Sequence, residues 1–495
     1  MRASGILLHI TSLPGPHGVG TLGREAYAFV DFLKKAGQSY WQILPLGPTS
    51  YGDSPYQSES AFAGNPYLID LDELVRDGLL TPGEVEAPYW GGEPALVDYG
   101  ALYAGRPALL AAACARGWER DREAVESFCR ANPWLEDYAL YKAVKKHFGQ
   151  KPWMDWKDED IRLRRSAAVM AAYKEKLAED IRLQTYTQFL FFRQWERLRA
   201  YAAQQGIRLI GDVAIYVPMD SADVWAEREY FQLDSEGRPT AVAGVPPDDF
   251  TPDGQLWGQP LYDWQKMEHD GYRWWLRRMT AAGRMFDMVR LDHFRGLESY
   301  WAVPSGEDTA RNGEWHPGPG KGFICALQEK LPTLEIVAED LGYMTPEVME
   351  LRAFSGYPGM KILEFAFDPW AQSQYLPHSY EENSVCYTGT HDNATLAQWI
   401  AEAPAAETAF AREYFALREG DELAQAIIRG GLRSPARLFI APMQDWLELG
   451  AEARMNAPGT LGGGNWCWRM AADAANDALA AQIARMTWIY GRTAL

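Results

Sequence analysis

The chain has 495 residues, which at ~150 residues per domain means two or three units, or one large barrel with insertions. Hydrophobic residues make up 47% and charged residues 23%, excluding wholesale disorder and a coiled-coil rod. With 67 acidic against 48 basic side chains the formal charge is −19, which repels nucleic acid and anionic membrane surfaces and favours a neutral or cationic partner.

Residues 1–10 lack the long apolar stretch of a signal peptide, and no run of ~18 apolar residues is present to span a bilayer. Five cysteines (Cys114, Cys129, Cys325, Cys386 and Cys467) lie far apart with no C-x-x-C pair, against a disulfide framework or zinc ribbon. A soluble chain in a reducing cytoplasm is expected. The 20 Trp, 25 Tyr and 19 Phe are numerous enough to line a groove as well as fill a core.

In chain order, apolar runs rich in β-branched and aromatic residues predict strands at 5–10, 40–46, 207–215, 286–291, 335–338, 360–365, 384–388 and 437–442. Amphipathic segments such as 271–282 lie between them. Eight alternating β and α units imply an α/β fold, a closed (β/α)₈ TIM barrel whose working groups sit at the carboxyl ends of its strands. About 160 residues separate the second and third strands, far more than a barrel loop and its helix need. A mainly helical subdomain is therefore expected over 64–185, within one catalytic barrel spanning 1–495, and its Ala- and charge-rich middle is 107–183. The stretch 218–263 holds VPPDDF, TPDG and QLWGQPLYDW, too rich in Pro and Gly for regular elements and too aromatic for a linker, and reads as a structured lid.

Carboxylates cluster at the predicted strand ends. Asp292 follows MVRL, and strand alternation points Arg290 and Asp292 to one face, the barrel mouth. A guanidinium beside a carboxylate favours the ionised form that a nucleophile needs, and it serves equally as a buried clamp. Glu339 ends the next strand; facing an ionised neighbour, it is expected to have a raised pKa and act as a proton donor. The alternative for Glu339 is a helix N-terminal charge, a role that Asp340 suits better. Asp392, in YTGTHDN, has three readings: a holder of substrate hydroxyls, an Asx cap, or a metal ligand with His391, Asp292 and His293. The eight scattered histidines, without H-x-H or H-E-x-x-H spacing, weigh against the metal. Asp212 in GDVA is a fourth carboxylate, in the site or structural. LGGG at 461–464 fits neither phosphate-loop pattern, so no nucleotide cofactor is expected and a flexible loop suffices.

The chain resembles the 4-α-glucanotransferases known as amylomaltases or disproportionating enzymes, in the α-amylase-like clan. The resemblance rests on GILLHITSLP (5–14), YGDSPYQ (51–57), FAGNP (62–66), WGQPLY (257–262), RLDHFR (290–295), AEDLG (338–342), GTHDN (389–393) and NWCWR (465–469), in that order. It implies Asp292 as nucleophile, Glu339 as general acid and base, and Asp392 as stabiliser of the transition state, with Arg290 and His391 orienting them. It further implies substrate contacts at Ser54, Tyr56, Asp212, Trp257, Phe365 and Asn465, a second glucan site at Tyr51, and neither organic cofactor nor catalytic metal. Ala214 and Ala394 depart from the family pattern, where Pro and an acidic residue are usual; they bear on subsite geometry and loop rigidity rather than on catalytic groups. Without an N-terminal extension of the kind that houses starch-binding modules in longer relatives, soluble maltodextrins are the expected substrates rather than granules.

The expected reaction is a retaining double displacement on α-1,4-glucan, with maltooligosaccharide, maltodextrin or amylose as donor and glucose or maltooligosaccharide as acceptor. Carboxyls ~5 to 5.5 Å apart suit it. Aromatic walls and the loops 246–257 and 456–465 are expected to stack on sugar faces and exclude water. A hydrolase of the same clan and a noncatalytic glucan-binding protein are the competing readings.

Overall fold

The computed structural model describes residues 2–248 and 251–493; positions 249 and 250 of the expected lid and the chain's outermost residues lie outside the described residues. Twelve strands occur in it: β1 (Ala3–Leu7), β2 (Tyr40–Gln42), β3 (Arg208–Val213), β4 (Ala241–Val245), β5 (Gln255–Pro260), β6 (Met288–Leu291), β7 (Ser299–Pro304), β8 (Glu314–Pro317), β9 (Glu335–Ala338), β10 (Gly359–Ile362), β11 (Ser384–Tyr387) and β12 (Leu438–Pro442). Eight of them close a parallel barrel in the order β1-β12-β11-β10-β9-β6-β3-β2, a (β/α)₈ TIM barrel. All eight predicted strands are its staves, although several end early. The first stops at Leu7, and a 3₁₀ turn covers Ile10–Ser12; the sixth stops at Ile362, so Phe365 lies in the 3₁₀ turn Leu363–Phe365. Apolarity persists past a strand's last ladder bond where the chain turns inward over the barrel mouth, so hydrophobic runs overestimate strand length there.

Alternation fills the barrel interior with Leu7, Ile210, Met288, Val337, Met360, Val385 and Ile440, one apolar cluster. Gly5 marks a tight approach of neighbouring strands: a Cβ there would lie 2.6 Å from the Tyr40 carbonyl oxygen.

Between β2 and β3 the chain forms helices Tyr99–Gly117, Arg122–Ala131, Trp134–His147, Ala167–Lys176 and Ala178–Gln204. Tyr99–Gly117 starts ahead of the Ala- and charge-rich middle at 107, where the Asp98 side chain accepts the Ala101 N–H as its cap. The last of these helices runs through residue 185 without a break and packs on β3. Lys145 on Trp134–His147 reaches Glu59 Oε1 at 2.5 Å and Asp220 Oδ2 at 2.6 Å, tying the helical insertion to the loops after β2 and β3. Lys145 and Glu59 are buried, so each depends on its partner for charge compensation.

The stretch 218–263 is more regular than its composition implies. It contributes β4 and β5, and β7 and β8 complete a four-stranded antiparallel sheet in the order β5-β4-β7-β8. Gly244 opposes Trp301 on β7, and Pro260 falls at the end of β5, positions where those residues do not break a ladder. Among the described residues no helix is long and apolar enough to cross a membrane.

Candidate active site

The same alternation that buries Ile210, Met288 and Val337 brings Asp212 and Arg290, two residues further along β3 and β6, and Glu339, just past β9, to the carboxyl-side mouth. Asp212 and Arg290 are direct cross-strand partners. Arg290 Nη1 donates to both oxygens of Asp212, at 2.9 and 2.8 Å, and lies 3.0 Å from Asp292 Oδ1. Burial works against the Arg290 cation, yet Asp212 and Asp292 outweigh it and hold the guanidinium charged; burial likewise pushes Asp212 up, opposed by Arg290. One guanidinium thus clamps the buried carboxylate of Asp212 and touches the partly open one of Asp292.

After Asp292 the backbone turns sharply. His293 adopts a left-handed φ of 45°, uncommon for a side chain of this size. That turn aims its N–H at Glu339 Oε2, 2.8 Å away, while the Leu341 N–H donates to Oε1 at 2.8 Å. Burial pushes the Glu339 carboxyl up to about 7; Arg290 and the two N–H groups pull against that, and Asp292 adds to it. Glu339 does not cap a helix. Thr345 caps the following helix, Pro346–Ser355, and Asp340 accepts the Met360 N–H and pairs with Arg352.

Asp392 lies on the loop after β11. Asn393 ties that loop to Thr390, and Thr395 caps the next helix, so Asp392 is free of the capping role. Its Oδ2 is 3.2 Å from His391 Nε2, its Oδ1 accepts from Asn456 Nδ2 at 2.6 Å, and its carbonyl accepts from Arg454 Nη2 at 2.9 Å. Burial pushes this carboxyl up, but His391 and Asn456 outweigh it and hold Asp392 down to about 2. Tyr56, from the loop after β2, stacks on His391 at 5.0 Å between ring centroids, and its hydroxyl donates to Asp212 Oδ2 at 2.7 Å. Asp212, Tyr56, His391 and Asp392 thus form a continuous polar arc. Among the described residues no group of three or more His, Cys, Asp or Glu is placed to hold a metal ion.

Trp257 meets His293 edge-on at 4.8 Å, a wall beside the carboxylates. Ser54 accepts the Tyr56 N–H at 3.2 Å and so shapes the loop that delivers Tyr56. Asn465 accepts the Ala457 N–H and donates to Thr460, closing the rim loop on itself. Phe365 is half-exposed against Tyr375, and Tyr51 is 87% exposed on a loop whose Gly52 abuts Leu461. Ala394 lines a cavity with His9, His391 and Arg454, whereas Ala214 lines another with Tyr56 and Asp212.

Arg454, and the link of Asn456 in the expected loop 456–465 to Asp392, escaped sequence reading because no local pattern ties them to residue 392; only the fold does. Replacing Asn456 by Ala is expected to lower kcat about 10- to 100-fold with KM little changed, since a charge-assisted hydrogen bond to Asp392 is lost. Steady-state kinetics on maltotriose check this, and a pure KM effect would count against it.

A sequence model of 4-alpha-glucanotransferase matches residues 8–474. The chain belongs to the 4-alpha-glucanotransferase family. Among its relatives, the 4-alpha-glucanotransferase of Thermus thermophilus is 50% identical over 483 residues, covering 95% of each chain. That of Streptococcus pneumoniae (strain TIGR4) is 48% identical over 494 residues, covering 99% of this chain and 97% of its own. The amylomaltase from Streptococcus agalactiae in complex with acarbose superposes with a TM-score of 0.97 at 42% identity, covering 100% of both chains. The 4-alpha-glucanotransferase family assignment makes this chain a glycosyltransferase of glucan metabolism.

Proposed function

We propose that the chain transfers α-1,4-glucan segments between maltooligosaccharides by a retaining double displacement through a covalent glucosyl–Asp292 intermediate. The observation that carries this reading is the pairing of Asp292, held by Arg290, with a Glu339 whose carboxyl sits near neutrality. Asp292 attacks the anomeric carbon while protonated Glu339 gives its proton to the departing glycosidic oxygen. The esterified Asp292 carries no charge, so its push on the Glu339 pKa disappears, and Glu339 then accepts the proton of the incoming 4-hydroxyl. Asp392, ionised throughout, binds ring hydroxyls with Asp212, Tyr56 and His391 and strengthens its hold as positive charge develops at the ring. We take Trp257, Phe365, Ser54 and Asn465 as walls and loop-setters of the subsites and Tyr51 as part of a second glucan contact. That the Streptococcus agalactiae relative was solved in complex with acarbose supports a glucan-like ligand for this chain. A maltodextrin or amylose donor, a glucose or maltooligosaccharide acceptor and a cytoplasmic setting complete the proposal.

Incubation with maltotriose tests it. Glucose plus a ladder of longer dextrins, without a rise in total reducing ends, is the expected result; reducing ends rising in step with cleavage would instead mean hydrolysis. The pH dependence follows from Glu339. Its pKa is raised by folding, so the active acid form is present below about 7 and lost above it, and kcat/KM should fall on the alkaline side. The raised pKa also means that stability contributed by neutral Glu339 declines as pH rises from the unfolded value through about 7. A kcat/KM profile whose alkaline limb survives Glu339→Gln unchanged would assign that limb to another group.

A further inference from the structure

Three residues after Asp292 and four after Glu339, the chain sends two side chains to one place outside the carboxylate arc. Arg295 Nη1 donates to the Tyr343 carbonyl at 2.7 Å, and its guanidinium carbon lies 4.1 Å from the Trp315 ring centroid and 5.7 Å from that of Tyr343. Arg295 is buried, whereas the rings it touches face solvent: Tyr343 is 77% and Trp315 40% exposed. Trp315 stands on β8, the outer strand of the antiparallel sheet, and Trp301 on β7 meets it edge-on at 5.2 Å. Trp301 in turn donates its indole N–H to the Ala310 carbonyl. Trp315 is therefore held by a cation over its ring and by a second indole edge-on, and its orientation is set before any ligand arrives.

We propose that Trp315 and Tyr343, clamped by Arg295, form an aromatic platform that binds a distal part of a long α-1,4-glucan beyond the catalytic mouth. The inference rests on the reading that the mouth processes α-1,4-glucan. Three properties favour this occupant. Arg295 and Tyr343 belong to the loops that carry Asp292 and Glu339, and Arg295 joins Trp315 on β8 to them, so the platform adjoins the catalytic mouth. Glucan is neutral, which suits a strongly anionic protein. Preoriented flat rings fit the apolar C–H faces of glucose units, from which they displace water at little entropic cost.

Binding is measured without turnover by retardation of the whole chain in native gels containing amylose, alongside KM for amylose and for maltotriose. In Tyr343→Ala and Trp315→Ala, amylose retardation is expected to weaken about 5- to 10-fold and KM for amylose to rise equally, while maltotriose parameters stay within roughly twofold. Tyr343→Phe should retain both. Should Trp315→Ala melt early, Tyr343→Ala decides alone, its ring being mostly in solvent. Unchanged retardation and KM for amylose in folded variants, or an equal loss for maltotriose and amylose, would overturn the platform. So would a change in self-association on gel filtration with retardation intact, which would identify the face as a contact between copies. Wild-type chain that is retarded through Tyr343 but does not disproportionate maltotriose would uphold the platform and remove the transferase reading.

Discussion

Asp292→Asn should lower maltotriose disproportionation by about 10⁴-fold or more, the scale at which loss of a covalent nucleophile acts. The amide keeps the size of the carboxylate but has no charge to place on the anomeric carbon. Folding should survive, because Arg290 remains bonded to both oxygens of Asp212 and is not left as an orphaned buried cation. Two further consequences separate a lost nucleophile from a damaged site. The Glu339 pKa should drop from about 7, since Asp292 no longer adds to its rise, and the alkaline limb of any residual activity should move to lower pH. In Asp292→Gly, which vacates the space the carboxylate fills, azide should restore turnover and yield a β-glucosyl azide. A variant with undiminished transfer would end the nucleophile assignment.

Arg290→Met carries the largest expected effect on stability. Arg290 is the cation bonded to Asp212 and in contact with Asp292, and Asp212 retains only the Tyr56 hydroxyl when it is removed. Removing one partner of a buried ion pair costs about 3–5 kcal/mol, because the other charge stays desolvated and uncompensated. The pH dependence has a definite sign. Arg290 lowers the pKa of both Asp212 and Glu339 in the folded chain, so without it both rise further above their unfolded values. Groups with raised folded pKa bind more protons folded than unfolded, so the variant should be least destabilised at acidic pH and progressively more so as pH climbs through those values. Denaturant unfolding at pH 5 and pH 8 measures the difference. A gap to wild type that is equal at both would show that the guanidinium acts through packing rather than charge. Arg290→Lys should recover part of the stability but not the geometry, since a lysine ammonium lacks the planar fork that here serves two carboxylates.

Much of the barrel was legible because its strands are short apolar runs with a polar residue at the carboxyl end, and period-two alternation then points Arg290 and Asp292 the same way. The antiparallel sheet was not. β4 and β5 are interrupted by Gly and Pro; β5 pairs with β4, and β4 is held by β7, whose residues lie some sixty positions downstream. The same difficulty applies to Tyr56. Its polar partners are Asp212 and His391, 156 and 335 positions away, and nothing in SPYQ signals either.

Local order in the chain determined which residues alternate into the barrel and which strand ends carry carboxylates, and composition set the net charge of −19. Only the tertiary structure decided how Glu339 and Asp392 ionise. Burial beside Asp292 pushes the Glu339 carboxyl up to about 7, and Asp392 is held down to about 2 because His391 and Asn456 converge on it. Ionisation depends on distance and burial in space, and these are set when loops after different strands meet over one barrel mouth.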